Sequence, residues 1–183
     1  MSEQELELPK GWVETTVNDI IKIIDYRGRT PPYVEKGIPH LRSGNVKNGK
    51  IVWEKLRYVT KETYEKYMTR GLPQNGDILF TTEAPLGEAT LVPDEKFCLA
   101  QRLMILRPLG EINSKFLLYQ IDSPDFQGRL TGRGTGTTVT GVSSRNFKPM
   151  KIILCPLNEQ TRIVSKIDEL FSKIDSTKQS LEQ

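Results

Sequence analysis

The residues that could perform acid–base, metal or nucleophilic chemistry are few and far apart in this sequence. The only histidine, His40, lies in the apolar segment IPHLR, which favours a structural or contact role over that of a catalytic base. Cys98 and Cys155 form neither a metal motif nor a disulfide framework and indicate small buried groups in a reducing compartment. No Cys/His/carboxylate cluster has metal-ligand spacing. Asp77 and Glu83 flank the strand-like ILFTT, but no lysine follows them at the spacing of a nuclease site.

Two short motifs match cofactor-binding signatures only in part. TPPY, at Thr30–Tyr33, resembles the methyl-transfer motif in which a side chain and a carbonyl hold the target amino group, but Thr stands in the first position. GRGTG, at Gly132–Gly136, lacks the GK[ST] ending of a phosphate-binding loop. The sequence therefore predicts a binding module with no catalytic residues, no metal and no cofactor of its own.

Positive charge is concentrated in the body of the chain. Residues 11–156 contain 21 cations and 15 anions, and residues 126–158 contain no acidic residue. A basic stretch interleaved with Gly, Ser and Thr suits a phosphate backbone. A solvated loop on a mildly basic protein is the alternative reading of the charge alone.

Short apolar segments separated by Gly and Pro turns predict a strand-rich α+β domain. The predicted strands lie near residues 20–24, 38–41, 73–80, 89–92, 97–100, 103–106 and 151–155. Helices are predicted at residues 61–68 and 114–121, and a Gly/Thr/Arg loop at residues 128–141.

The C-terminal segment has the pattern of a long helix with an apolar edge. From residue 159 to 183 no helix breaker occurs, and apolar residues recur at alternating spacings of four and three, with Thr177 as the polar exception. The members of this seam are Ile163, Ile167, Leu170, Ile174 and Leu181. We predict a helical arm that packs against another helix as a coiled coil. The alternative is a terminal helix that lies on its own domain.

No apolar run is long enough for a membrane span, and the acidic N-terminal segment does not resemble a secretory signal. A cytoplasmic location is expected.

Several segments together resemble the DNA-specificity (S) subunit of type I restriction-modification systems. They are LPKGW (8–12), GRTPPY…GIPHLRSGNVKNGKI (28–51), NGDILFTTEAPLGEATLVP (75–93), QRLMILRP (101–108) and CPLNEQTRIVSKIDELFSKID (155–175). PLNEQTRIVSKIDELF is the most specific of them, because it is similar to the signature that opens the helical region of that family.

The resemblance implies a target recognition domain at residues 1–155 and a helical spacer or dimerisation arm at residues 156–183. Family subunits usually contain two such units, so this chain looks like a half-subunit or a fragment. The resemblance also implies a non-catalytic DNA-binding subunit. It would direct modification (methyltransferase) subunits and, through the complex, a restriction subunit to the target site. S-adenosylmethionine, ATP and Mg are then expected on the partner subunits. A homodimer through the C-terminal helix is a further expectation.

Loop residues are the expected contacts to double-stranded DNA, because arginine can pair with guanine, asparagine with adenine, and hydroxyls or cations with phosphate. These candidates are Arg27, Arg29, Arg42, Ser43, Asn45, Arg129, Arg133, Thr135, Thr137, Thr138, Arg145 and Lys148. Two other functions remain open. The chain could be a recognition domain detached from a single-chain methyltransferase-nuclease, or a decoy subunit that binds modification subunits only.

Overall fold

The computed structural model describes residues 7–26, 30–132 and 141–181 of the 183-residue chain. The strands in these ranges are β1 (Val13–Thr16), β2 (Ile21–Asp25), β3 (Ile38–Leu41), β4 (Val46–Lys47), β5 (Lys50–Ile51), β6 (Arg57–Val59), β7 (Ile78–Thr82), β8 (Leu86–Leu91), β9 (Cys98–Leu99), β10 (Leu103–Pro108) and β11 (Lys151–Leu154). The helices are α1 (Val17–Ile20), α2 (Lys61–Tyr67), α3 (Ser114–Asp122), α4 (Pro124–Gly132), α5 (Ser144–Phe147) and α6 (Leu157–Leu181). A strand-rich region followed by a long C-terminal helix confirms the predicted α+β class.

An antiparallel sheet with the strand order β2-β10-β7-β8 separates two hydrophobic clusters. Successive side chains of a strand point to opposite faces of its sheet. Ile78 and Phe80 of β7 therefore join one cluster with Met104 of β10, whereas Leu79 and Ile105 join the other. Burial on both faces explains why these strands are almost continuously apolar in sequence.

The two faces of this sheet are covered by different elements. Helices α1, α3 and α4 cover the first face, with Leu117 fully buried in that cluster. Helix α2 and a smaller sheet, ordered β6-β3-β9, cover the second. Strand β3 pairs antiparallel with β6 and parallel with β9, so His40 lies between Arg57 and Cys98.

Helix α4 shows that the prediction of a loop over residues 128–141 is wrong at its start. Residues 128–132 continue the helix that begins at Pro124. Phe126 and Leu130, one helical turn apart, are both buried against the first cluster. This burial outweighs the low helix propensity of Gly128. Residues 133–140 lie outside the described residues.

The first half of α6 is held on the domain by polar and apolar contacts. Gln160 is 2% exposed, and its amide nitrogen donates to the carbonyl of Cys155 at 2.8 Å. Its side-chain oxygen accepts a hydrogen bond from the backbone N–H of Asn113 at 2.9 Å. Val164 packs in a small cluster with Phe116 and Cys155. This half of the helix therefore lies on its own domain, as the alternative reading of the sequence expected.

A second set of contacts ties α6 to α3 one turn further along. The ammonium group of Lys115 lies 2.7 Å from a carboxylate oxygen of Asp168, and the Tyr119 hydroxyl donates to the other oxygen. These interactions lower the pKa of Asp168, first through the Lys115 hydrogen bond and then through that of Tyr119. Beyond Asp168, residues 169–181 are all exposed. The long helix is confirmed, and its separation at residue 156 as a distinct unit stays a prediction.

In the ranges that the structure describes, no helix is both long and apolar enough to cross a membrane.

Candidate nucleic-acid interface

A cavity of about 640 Å³ opens where the residues after β2, β3 and β9 meet the start of β6. Tyr26, Arg42 and Arg57 are among its lining residues. A second cavity, of about 370 Å³, shares Gln101 and Arg102 with the first. The two cavities are therefore adjacent, and together they are called the recessed surface below.

The ends of both predicted DNA-contacting loops border this surface. Tyr26 and Thr30, on either side of residues 27–29, line the first cavity. Gly141, which follows residues 133–140, lines the second. The predicted contacts that lie outside the described residues, and so remain predictions, are Arg27, Arg29, Arg133, Thr135, Thr137 and Thr138.

Ser43 and Asn45 belong to a 3-10 turn, Ser43–Asn45, that follows β3. Both are buried, and their polar groups are used within the protein. The Asn45 side chain accepts from the backbone N–H of Arg42 and donates to the carbonyl of Val52, both at 3.1 Å. The Ser43 hydroxyl donates to the carbonyl of Ala84 at 3.0 Å. Their position favours a role in shaping the turn over direct contact with a base.

An aromatic and cationic group lies beside this turn. The Arg57 guanidinium lies over the ring of Tyr33, 4.7 Å from its centroid. The same tyrosine meets the ring of His40 edge-on, with the centroids 5.4 Å apart. All three side chains line the larger cavity. Arginine and aromatic rings of this kind can stack on nucleic-acid bases.

Two polar atoms at this cavity have no partner in the described part of the chain. They are Nδ1 of His40 and Nε of Arg42, and both are inaccessible to solvent. Burial, together with the nearby charges of Arg42 and Arg57, lowers the pKa of His40 to about 4. His40 is therefore a neutral imidazole at pH 7, while Arg42 retains a buried donor without an acceptor.

The larger cavity has a strongly positive lining. Its charged lining residues are Arg42, Lys47, Lys55, Arg57, Arg102 and the acid Glu54. Arg102 is paired with Glu83 at 2.5 Å. In residues 7–26, 30–132 and 141–181, no ion pair involves the other four cations. Their charge is therefore left for an anionic ligand.

The remaining predicted DNA contacts differ in whether other residues of the domain hold their side chains. Arg129 on α4 is paired with Asp125 at 2.9 Å and also donates to the carbonyl of Lys151 at 3.0 Å. Arg145 and Lys148, on and just after α5, are exposed and form no ion pair with a described residue. The geometry leaves these last two available for phosphate and holds Arg129 against its own domain.

The predicted helix-interface residues differ in exposure between the two halves of α6. Ile163 packs against the small cluster beneath the start of α6, and Ile167 is half-buried. Leu170 is 48% exposed, Ile174 49% and Leu181 81%. The neighbouring Phe171 is 54% exposed, so an apolar edge persists on the second half of the helix.

Sequence reasoning did not single out Tyr33, Arg57 or Arg102 as site residues. Arg57 is brought to His40 by strand pairing across 17 positions, which leaves no local signal in the sequence. Only the TPPY motif marked Tyr33, and it did so for a different chemistry. Among the described residues, no cluster of three or more His, Cys, Asp and Glu is placed to hold a metal ion.

The chain is similar in sequence to curated proteins and in fold to solved structures. Over 97% of its length the chain is 27% identical to the type I restriction enzyme EcoKI specificity subunit of Escherichia coli K12. It is 24% identical over 97% of its length to the MjaVIII specificity subunit of Methanocaldococcus jannaschii. Its fold matches the crystal structure of the HsdS subunit from Thermoanaerobacter tengcongensis with a TM-score of 0.68, at 21% identity over 96% of this chain.

These matches cover only part of the other proteins. The chain spans 40% of the EcoKI subunit, 43% of the MjaVIII subunit and 41% of the HsdS chain. The family model for the type I restriction modification DNA specificity domain matches residues 9–183. The protein therefore belongs to the family of type I restriction-modification DNA specificity domains.

Proposed function

We propose that this chain is a target recognition unit that binds double-stranded DNA in a sequence-specific manner and directs a type I restriction-modification complex to its site. The main support for this proposal is the recessed basic surface. The ends of two predicted loops that contain arginine border it, and four of its lining cations form no ion pair with a described residue. Family membership supports the same role, since its relatives are specificity subunits.

In this proposal the exposed cations hold the DNA backbone, and the loop residues read the base edges. Arg145 and Lys148 supply phosphate contacts, because they are exposed and have no internal ion pair with a described residue. Arg27, Arg29 and Arg133 are the proposed loop contacts. Ser43 and Asn45 hold the shape of the turn that presents Arg42.

The unit is proposed to act without its own reaction. Modification subunits would dock on the helical arm and bring S-adenosylmethionine, and a restriction subunit would bring ATP and Mg through the complex. The exposed edge formed by Leu170, Phe171 and Ile174 is the surface proposed for a second helix, from such a subunit or from a second copy. The cytoplasm is the compartment in which such a complex would meet DNA.

The decisive experiment is reconstitution with the cognate modification subunit, followed by mapping of methylated sites. A defined methylated sequence that is lost when this chain is omitted is the expected result. Assembly with the modification subunit but no DNA binding would instead identify a decoy subunit. Methylation by the purified chain alone would identify an enzyme and contradict the proposal.

A further inference from the structure

The cavity beside Tyr33 has features that duplex binding by exposed loops does not need. Its volume of about 640 Å³ is within the range of small-ligand sites, about 300–1,000 Å³. Contacts to the backbone of a duplex require only exposed cations, whereas this cavity is also lined by the rings of Tyr33, His40 and Tyr67. Aromatic and guanidinium surfaces can stack on a base, so this cavity offers more than attraction to phosphate.

The chemistry of the cavity limits what its ligand can be. The imidazole of His40 is neutral at pH 7, so the charge of the cavity comes from its arginine and lysine side chains. The free cations favour a negatively charged group, while Tyr33 and Tyr67 provide aromatic surface. A planar ring that is linked to a phosphate satisfies all of these features, and a bare anion does not use the aromatic surface.

We propose that this cavity is a nucleotide-binding site, in which the guanidinium of Arg57, supported by the ring of Tyr33, stacks on the base and Arg42, Lys47 and Lys55 attract its phosphate. The nucleotide has two possible sources, which are an unstacked nucleotide of a DNA strand and a free mononucleotide. The first source deepens the proposed DNA-reading function, and the second is independent of it.

The single histidine of the chain makes the test direct. In a long-range ¹H–¹⁵N spectrum of the tag-free full chain, the imidazole signals belong to His40 alone. The probes are thymidine monophosphate, inorganic phosphate and an eight-residue oligothymidylate, each titrated to millimolar concentration. Because the imidazole lines the cavity, we expect its signals to shift with the nucleotide probes and to move less than a third as far with phosphate.

Variants then assign the contacts. Arg57→Gln is expected to weaken nucleotide binding at least fivefold, and Arg57→Lys, which keeps the charge but loses the planar group, at least twofold. Lys66→Gln is the matched control, because Lys66 is exposed on α2 and does not line the cavity. It should change the affinity less than twofold. An equal loss in the control would show that only general charge matters and would overturn the site.

The remaining outcomes each decide the question. A shift with the mononucleotide but not with the oligonucleotide supports a free nucleotide, and the reverse supports a strand nucleotide. No shift with either, or an equal shift with phosphate, overturns the nucleotide site. Duplex retarded in a gel while the His40 signals stay fixed removes the site and leaves the proposed function intact. A nucleotide-induced shift without duplex binding keeps the site and removes that function.

Discussion

The side-chain oxygen of Gln160 accepts a hydrogen bond from the backbone N–H of Asn113, 2.9 Å away and 47 residues earlier in the chain. The Asn113 side chain in turn caps α3 by accepting from the N–H groups of Lys115 and Phe116. The starts of α3 and α6 are thus joined through one buried amide. This connection fixes the direction in which the helical arm leaves the domain.

Gln160→Ala is expected to destabilise the protein strongly. It leaves the Asn113 N–H and the Cys155 carbonyl without partners in a buried site, at about 1–3 kcal/mol for each group. Urea unfolding measures the change in free energy. Gln179→Ala, at an exposed position of the same helix, is the control and should stay within about 0.5 kcal/mol. Equal values for the two variants would contradict the role of the buried amide.

The contribution of His40 to stability should decrease as the pH is lowered from about 6.5 toward 4. The pKa of His40 is about 4 in the folded protein and 6.5 in the unfolded chain, because burial opposes the charged form. Above pH 6.5 neither state binds this proton, whereas below it the unfolded chain is protonated first, so stability is lost as the pH falls toward 4. The expected loss at pH 5 is about 2 kcal/mol.

Denaturant unfolding of the wild type and of His40→Gln at pH 7 and pH 5 isolates this contribution. The carboxyl of Asp122, whose pKa burial raises to about 6, titrates in both proteins and cancels in the comparison. The wild type should therefore lose about 2 kcal/mol relative to the variant between pH 7 and pH 5. A direct NMR titration of the one histidine should place its pKa near 4. A value above 6 would show that the imidazole is hydrated and would contradict its burial.

Arg133→Ala is expected to weaken duplex binding and to reduce its dependence on salt. If Arg133 contacts a phosphate, the slope of log affinity against log salt should decrease by about 0.9. Mobility-shift titrations at several salt concentrations give this slope. Arg162→Ala is the matched control, because it removes one positive charge from α6, outside the recessed surface, where the arginine is paired with Glu159. This variant should leave the slope unchanged. Unchanged affinity for Arg133→Ala at every salt concentration would remove this loop from the interface.

The double variant Leu170→Lys and Ile174→Lys should abolish helix-mediated association while preserving the fold. Both side chains are about half exposed, so lysine can be placed there without entering the core. Light scattering of the chain alone and in a mixture with the modification subunit measures the mass of the assembly. Ser172→Lys with Ser176→Lys adds the same charge outside the seam and should not prevent assembly. If masses are the same for both double variants and the wild type, the apolar edge is not an interface.

The fold could be predicted from sequence where local pattern and tertiary burial agree. The apolar runs around Ile78 and Ile105 predicted strands, and these residues lie in strands buried on both faces. Helix α4 is not predicted, because Gly128 and Gly132 give this segment the composition of a loop. Phe126 and Leu130 were an available signal, since residues four apart share one face of a helix.

The candidate site was less predictable, because it depends on pairings between distant segments. Arg42 was identified from its place in a basic loop, but nothing nearby shows that its Nε would be buried. Asn45 was expected to read bases, yet the turn uses both ends of its amide. The same residue types serve loop geometry and base recognition, and only the surrounding backbone distinguishes the two uses.

The alternation of side chains along β7 and β10 has a consequence for how the molecule unfolds. Each of these strands contributes neighbouring residues to both clusters. If one cluster loses its packing, the strands move and the other cluster is disrupted as well. The domain should therefore melt in one cooperative step, and the slowest-exchanging amides of β7 and β10 should share one free energy of opening, equal to that of global unfolding.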